Sequence, residues 1–132
     1  MIKKTIEEWM TKKVITTSKE ETVQEAVKRM NNKHVGTLVV VENEEPIGIV
    51  TERDILMKVV AENFSASEKK VSDVMTTDIK TAEADASISK ISCEMTQNNI
   101  KRMPVTKDGK LAGIVTSSDL LRIMAKQWAC DL

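Results

Sequence analysis

Gly48-Ile49-Val50-Thr51-Glu52-Arg53-Asp54 returns 65 residues later as Gly113-Ile114-Val115-Thr116-Ser117-Ser118-Asp119. In both places a β-branched run reaches a threonine, and an aspartate follows three residues on. The run reads as a strand, and the threonine as the point where strand gives way to helix. At the same offset, Met10-Thr11 falls on Met75-Thr76, Thr16 on Thr81, Met30 on Met95, Val40 on Val105 and Leu56 on Leu121. Conservative pairs lie between: Val14/Ile79, Val23/Ile88, Val35/Ile100 and Ile55/Leu120. One ungapped register over this span establishes a tandem duplication.

Each copy has the same element order. A short helical turn ends at Met10 or Met75, and an extended piece follows at 14–16 or 79–81. An amphipathic helix comes next, with Val23, Ala26, Val27 and Met30 at i, i+3, i+4, i+7, and Ile88, Ile91 and Met95 spaced likewise. Thr22 and Ser87 stand at the N-cap positions. Two strands follow, at 37–41 and 47–50 in the first copy and at 103–106 and 111–115 in the second. Asp108-Gly109 marks the hairpin turn of the second copy. A second helix closes each copy, and Leu120, Leu121, Met124, Ala125 and Trp128 are expected to form its buried stripe in copy two.

The pattern predicts an α/β (α+β) protein of two β-α-β-β-α repeats. Residues 1–65 hold the first repeat with an N-terminal segment and linker, and residues 66–132 hold the second; the polar stretch 61–70 joins them. A unit of roughly 55 residues buries only part of its apolar surface alone. The copies are therefore expected to pack through their sheets with pseudo-twofold symmetry.

Composition excludes several function classes. Twenty basic and 20 acidic side chains give a formal net charge of +0. They are spread evenly over both halves, so neither nucleic acid nor an anionic membrane is an expected partner. Three aromatic residues, Trp9, Phe64 and Trp128, offer little for base stacking. The longest apolar run, Leu38-Val39-Val40-Val41, is too short to span a bilayer. No secretory leader is read at the N-terminus, and Cys93 and Cys130 are expected as reduced thiols in a cytoplasmic protein. With one histidine, His34, no metal cluster or Cys/His pair is expected; no Ser/His/Asp set or Walker loop is present. No catalytic residue and no metal site are assigned. His34 is expected in a surface or capping role, and most methionines in core packing.

The Thr-x-x-Asp corner has two readings. In one, threonine and aspartate form a capping box and nothing more. In the other, the free amides and hydroxyl hold a phosphate or sugar oxygen, and the aspartate accepts hydrogen bonds from a vicinal diol such as ribose.

Three features at their proper spacings resemble CBS repeats: a Met-Thr opening, the hydrophobic-Pro-Val strand Met103-Pro104-Val105, and Gly-Ile-Val-Thr-x-x-Asp. The resemblance covers roughly residues 5–126, and the chain looks like a stand-alone CBS-domain pair (Bateman module). The first copy departs from the pattern, with Val39 in place of the proline.

The resemblance implies two clefts between the copies that take adenosine-containing ligands: AMP, ADP, ATP or S-adenosylmethionine. Residue by residue, Asp54 and Asp119 would accept ribose hydroxyls, and Thr51 and Thr116 would touch ribose or the first phosphate. Val14-Ile15 and Ile79-Lys80 would sandwich the adenine. Val35-Gly36-Thr37 and Ile100-Lys101-Arg102 would line the clefts above a floor of Ile49 and Ile114. Met10 and Met75 would border them.

Lys101-Arg102 align with Gly36-Thr37, so unequal clefts are expected, with the stronger phosphate site near Asp119, Thr116, Lys101 and Arg102. Whether Arg102 serves its own corner or the Asp54 cleft is open. No cofactor is obligatory. The implied protein is a regulatory homodimer that passes a nucleotide signal to an enzyme or transporter on a separate polypeptide. The alternative is a ligand-free structural or dimerisation module.

Overall fold

The computed structural model describes residues 5–127. Trp128 and Cys130 lie outside them. The fold is mixed α and β, with two three-stranded sheets. The chain divides into two compact units, residues 14–79 in one, and residues up to Lys13 with those from Lys80 onward in the other.

The 14–79 unit opens with β1 (Thr16–Thr17), which pairs in parallel with β2 (Thr37–Glu42); β3 (Glu45–Thr51) returns antiparallel to β2. Helix α1 (Val23–Lys33) makes the crossover between the parallel strands. Thr22 and Glu25 close its N-terminus with a reciprocal capping box. His34 ends it in the left-handed region at φ 56°, and its amide reaches back to the last turn. After β3 comes α2 (Glu52–Ile55), which widens into a π-helical turn, Leu56–Val60. The core is Val23, Ala26, Met30, Leu38, Val40, Val50, Ile55 and Val59, completed by Val71 and Val74 of α3 (Val71–Val74).

The other unit repeats this plan. β4 (Ala82–Glu83), β5 (Arg102–Lys107) and β6 (Lys110–Thr116) form the sheet in the order β4-β5-β6. Helix α4 (Ile88–Gln97) is the crossover, and α5 (Ser117–Gln127) follows β6. Its core joins Ala82, Ala84, Ile91, Met95, Met103, Val105 and Val115 with Ile6 and Met10 from the chain's start.

The expected division at 65/66 follows the repeat in sequence, whereas the compact units divide at 13/14 and 79/80. The physical reason is edge pairing. β3 and β6 each have one edge open, and an extended segment closes it. Thr76 exchanges both backbone hydrogen bonds with Ile49, at 2.8 and 3.0 Å, and Thr11 does the same with Ile114, at 2.8 and 2.9 Å. The turn that leads into each repeat thus packs on the sheet of the other repeat.

The motif glycines follow from this. A Cβ at Gly48 would meet the Thr76 carbonyl at 2.9 Å, and one at Gly113 would meet the Thr11 carbonyl at 2.8 Å and the Met10 sulfur at 2.5 Å. Only glycine lets the segment lie this close.

Two expected stripes are corrected. On α5 the buried residues are Asp119 and Ile123, while Leu121 and Met124 are exposed. On α1, Val27 is exposed. Periodicity marks an apolar face, and these residues stand at the rim of a stripe narrower than the apolar set.

Candidate functional site

Each sheet ends in a corner where strand becomes helix. At Thr51 the hydroxyl accepts from the Asp54 amide at 3.1 Å. Asp54 Oδ2 in turn accepts from the Thr51 amide at 3.0 Å and the Thr51 hydroxyl at 3.1 Å. The second corner is a close copy. Thr116 Oγ1 accepts from the Asp119 amide at 3.3 Å, and Asp119 Oδ2 accepts from the Thr116 amide at 2.8 Å and its hydroxyl at 3.1 Å. The expected capping boxes are therefore present in both repeats.

The register brings the lining residues to these corners. Thr37 lies opposite Thr51, and Arg102 opposite Thr116. The Gly36 carbonyl accepts from the Glu52 amide, and the Lys101 carbonyl from the Ser117 amide, each at 3.0 Å. Val35 and Ile100 pack against their respective cores behind these positions. Ile49 faces Val39 across the ladder, and Ile114 faces Pro104. Lys101 and Arg102 are exposed.

Ile15 packs on its unit's core, and its carbonyl accepts from Val39 at 3.2 Å, on the β1 side of the sheet. Val14 beside it is half-buried. Ile79, half-buried, and Lys80, exposed, straddle the boundary between the units. The strand order sets β1, which follows Ile15, and β3, which ends at Thr51, on opposite sides of β2.

The two aspartates differ in their remaining oxygen. Asp119 is only 3% exposed. Its Oδ1 meets Arg122 Nη2 at 2.8 Å, one helical turn on. Asp54 Oδ1 meets two partners, Lys58 Nζ at 3.3 Å and the Thr76 hydroxyl at 3.3 Å. Lys58 also donates to the Val74 carbonyl at 2.8 Å. Sequence reasoning missed Lys58, Thr76 and Arg122. The cation three or four residues after each aspartate was a readable signal, whereas the Thr76 contact depends on the edge pairing.

The 14–79 corner also adjoins a groove of about 470 Å³ lined by Val27, Met30, His34, Val35, Gly36 and Glu52, among others. The Thr37 hydroxyl is buried and meets no hydrogen-bond partner among the described residues. Such an orphan is uncommon in a folded chain. No group of three or more metal-ligating side chains gathers among the described residues, and no helix there is long and apolar enough to cross a membrane.

Two sheet-helix repeats with duplicated capped corners define a tandem α/β module, and comparison with known proteins gives its family. The CBS domain model matches twice, at residues 6–61 and 71–126, so the chain belongs to the CBS-domain family. CBS-domain pairs are regulatory modules.

An uncharacterized protein of Methanopyrus kandleri is 39% identical over 112 residues, covering 83% of this chain and 57% of that protein. Relatives from Arabidopsis thaliana and Methanocaldococcus jannaschii are spanned to 55% and 45% of their lengths. The chain therefore spans about half of these relatives.

Among solved structures, the CBS domain pair of protein MJ0100 superposes with TM-score 0.80 at 28% identity, covering 93% of this chain and 97% of that one. That structure is a complex with 5′-methylthioadenosine and S-adenosyl-L-methionine. A hexameric CBS-CP12 protein from bloom-forming cyanobacteria has TM-score 0.80 at 30% identity, over 97% of this chain and 76% of that one.

Proposed function

We propose that this chain is a regulatory module that binds an adenosine-containing ligand, AMP, ADP, ATP or S-adenosylmethionine, at its strand-to-helix corners and signals to a separate partner protein. The observation that carries the reading is the buried Asp119 carboxylate at a capped corner flanked by Lys101 and Arg102. The capping bonds occupy Oδ2, and among the described residues Arg122 is the partner of Oδ1. A carboxylate has about four acceptor positions, more than the three contacts made by the described residues, so a ribose hydroxyl is a fitting further donor to Asp119. Lys101 and Arg102 supply the cations that suit a phosphate. The adenosyl ligands of the MJ0100 pair support the same ligand class.

The ligand acts by binding one conformation of the module more tightly than another. The module works as a homodimer, with an enzyme or transporter in trans as the regulated partner. The hexameric CBS-CP12 neighbour supports self-association.

The test is calorimetry with AMP, ATP and S-adenosylmethionine on wild type and Asp119→Asn. Asparagine keeps an oxygen that can accept from the Thr116 amide but lacks the ionised acceptor. Micromolar binding of one ligand, lost in the variant, is expected. Dissociation constants weaker than about 1 mM for all three reject the reading.

A second reading, a ligand-free interaction module, is favoured by one observation. Leu56, Met57 and Val60 are exposed after the first corner, and Leu121 and Met124 after the second. It predicts that Leu56→Ser and Leu121→Ser abolish self-association while nucleotides leave it unchanged.

A further inference from the structure

We propose that Asp54 serves as a latch for the segment Val74-Met75-Thr76 and is closed to ligand until that segment lets go, so the chain first takes one diol ligand, at Asp119. Both oxygens of the Asp54 carboxylate are engaged from within its own unit, by three hydrogen bonds and an ion pair. Oδ2 receives the Thr51 amide and hydroxyl, and Oδ1 receives Lys58 and the Thr76 hydroxyl. A ribose hydroxyl that reaches Oδ1 must therefore compete with both the Thr76 hydroxyl and the Lys58 ammonium.

The same contacts bind the segment to the sheet. Thr76 pairs with Ile49 through its backbone and with Asp54 through its side chain, and Lys58 ties the Val74 carbonyl to Asp54. A diol arriving at Asp54 must displace Thr76 or Lys58 and so loosen the stretch that runs on into the second repeat. At Asp119 only Arg122 shares Oδ1 among the described residues, and its side chain is 49% exposed. Displacing it moves a surface side chain and no backbone segment.

The latch stands on geometry alone, whereas its consequence for ligand rests on the adenosine reading above. The experiment separates them by using Thr76→Val and Lys58→Met singly and together. Thr76 is exposed and the Lys58 side chain is 44% exposed, and both replacements keep the side chain's size. Hydrogen exchange without ligand is read at the Ile49 and Thr76 amides. Exchange about tenfold faster in the double variant, with the β2–β3 ladder unchanged, is expected; unchanged exchange at both amides overturns the latch.

Calorimetry with adenosine is then expected to give one site per chain in wild type and two in the double variant. Two equal sites in wild type, or one site in the double variant despite faster exchange, overturns the closure at Asp54. If adenosine binds none of these proteins, the ligand reading falls and the exchange data alone decide the latch.

Discussion

Arg122 reaches back one helical turn to place Nη2 2.8 Å from Oδ1 of Asp119, a carboxylate side chain only 5% exposed. The pair compensates a charge that the corner has withdrawn from water. Arg122→Met keeps most of the apolar stem and removes the cation. The variant is expected to lose about 1 kcal/mol, the pair being partly screened by the half-exposed arginine. It also frees an acceptor on Asp119, so binding of a diol ligand at this corner should tighten a few-fold while urea unfolding shifts to lower denaturant. Weaker binding with unchanged stability would show that Arg122 touches the ligand instead of competing with it.

The motif glycines make a separate prediction. Gly113→Ala drives a methyl into the Thr11 carbonyl and the Met10 side chain, and Gly48→Ala drives one into the Thr76 carbonyl. Overpacking of this kind costs about 1–3 kcal/mol. Gly113→Ala should be the more destabilising, because two groups must move and the Met10 sulfur lies nearer than Met75 does at Gly48 (2.5 against 3.2 Å). Chemical denaturation of both variants checks the order.

Much of this architecture was legible because duplication shows each element twice. Thr22, Ser87, Thr51 and Thr116 announced helix starts, and each now receives the first-turn amide. The extended pieces at 14–16 and 79–81 proved to be the approach to shorter strands, Thr16–Thr17 and Ala82–Glu83, because only two residues of each find ladder partners on the central strand.

What the sequence withheld was partnership across distance. Nothing local in Met75-Thr76 tells that its backbone pairs with Ile49, and Gly48 reads as an ordinary strand glycine until that neighbour is seen. The same ignorance hid the state of Asp54. Its spacing from Thr51 predicted the cap, but the filling of its second oxygen depends on a residue 22 positions away. Leu121 and Met124 were misplaced for the complementary reason, since apolar character alone does not say which side of a helix the sheet covers.

Acid should act on α1 through Glu25. Hydrogen bonding to the Thr22 backbone amide, then to its hydroxyl, holds the Glu25 carboxyl below the usual carboxylate range, with smaller help from Arg29 and Lys28. A group whose value is depressed by folding stabilises the native state above its unfolded value, and that contribution disappears as pH falls through the folded value. Glu25→Gln keeps a capping-box side chain but does not titrate. Its melting temperature should therefore fall less steeply than wild type's as pH drops through and below the carboxylate range, and the two profiles should run parallel at neutral pH. Identical slopes throughout would mean that Glu25 is equally ionised in the unfolded chain.

Cutting the chain offers the sharpest test of how the units are composed. A fragment of residues 1–65 holds one complete sequence repeat but lacks Val71 and Val74, both almost fully buried in the core of α1, β2 and β3. It also leaves the β3 edge bare, because Thr76 is missing. A fragment of residues 14–79 is of similar length, keeps both valines and the edge segment, and omits only the N-terminal turn that belongs to the other core. Each buried valine contributes about 1.5–3 kcal/mol, a large share of what so small a unit retains. Residues 14–79 are therefore expected to show more helical circular dichroism and a sharper thermal transition than residues 1–65. Placing Ala at positions 71 and 74 should bring the 14–79 fragment down to the level of the other. Equal behaviour of the two fragments would mean that the borrowed segment adds nothing to the core it enters.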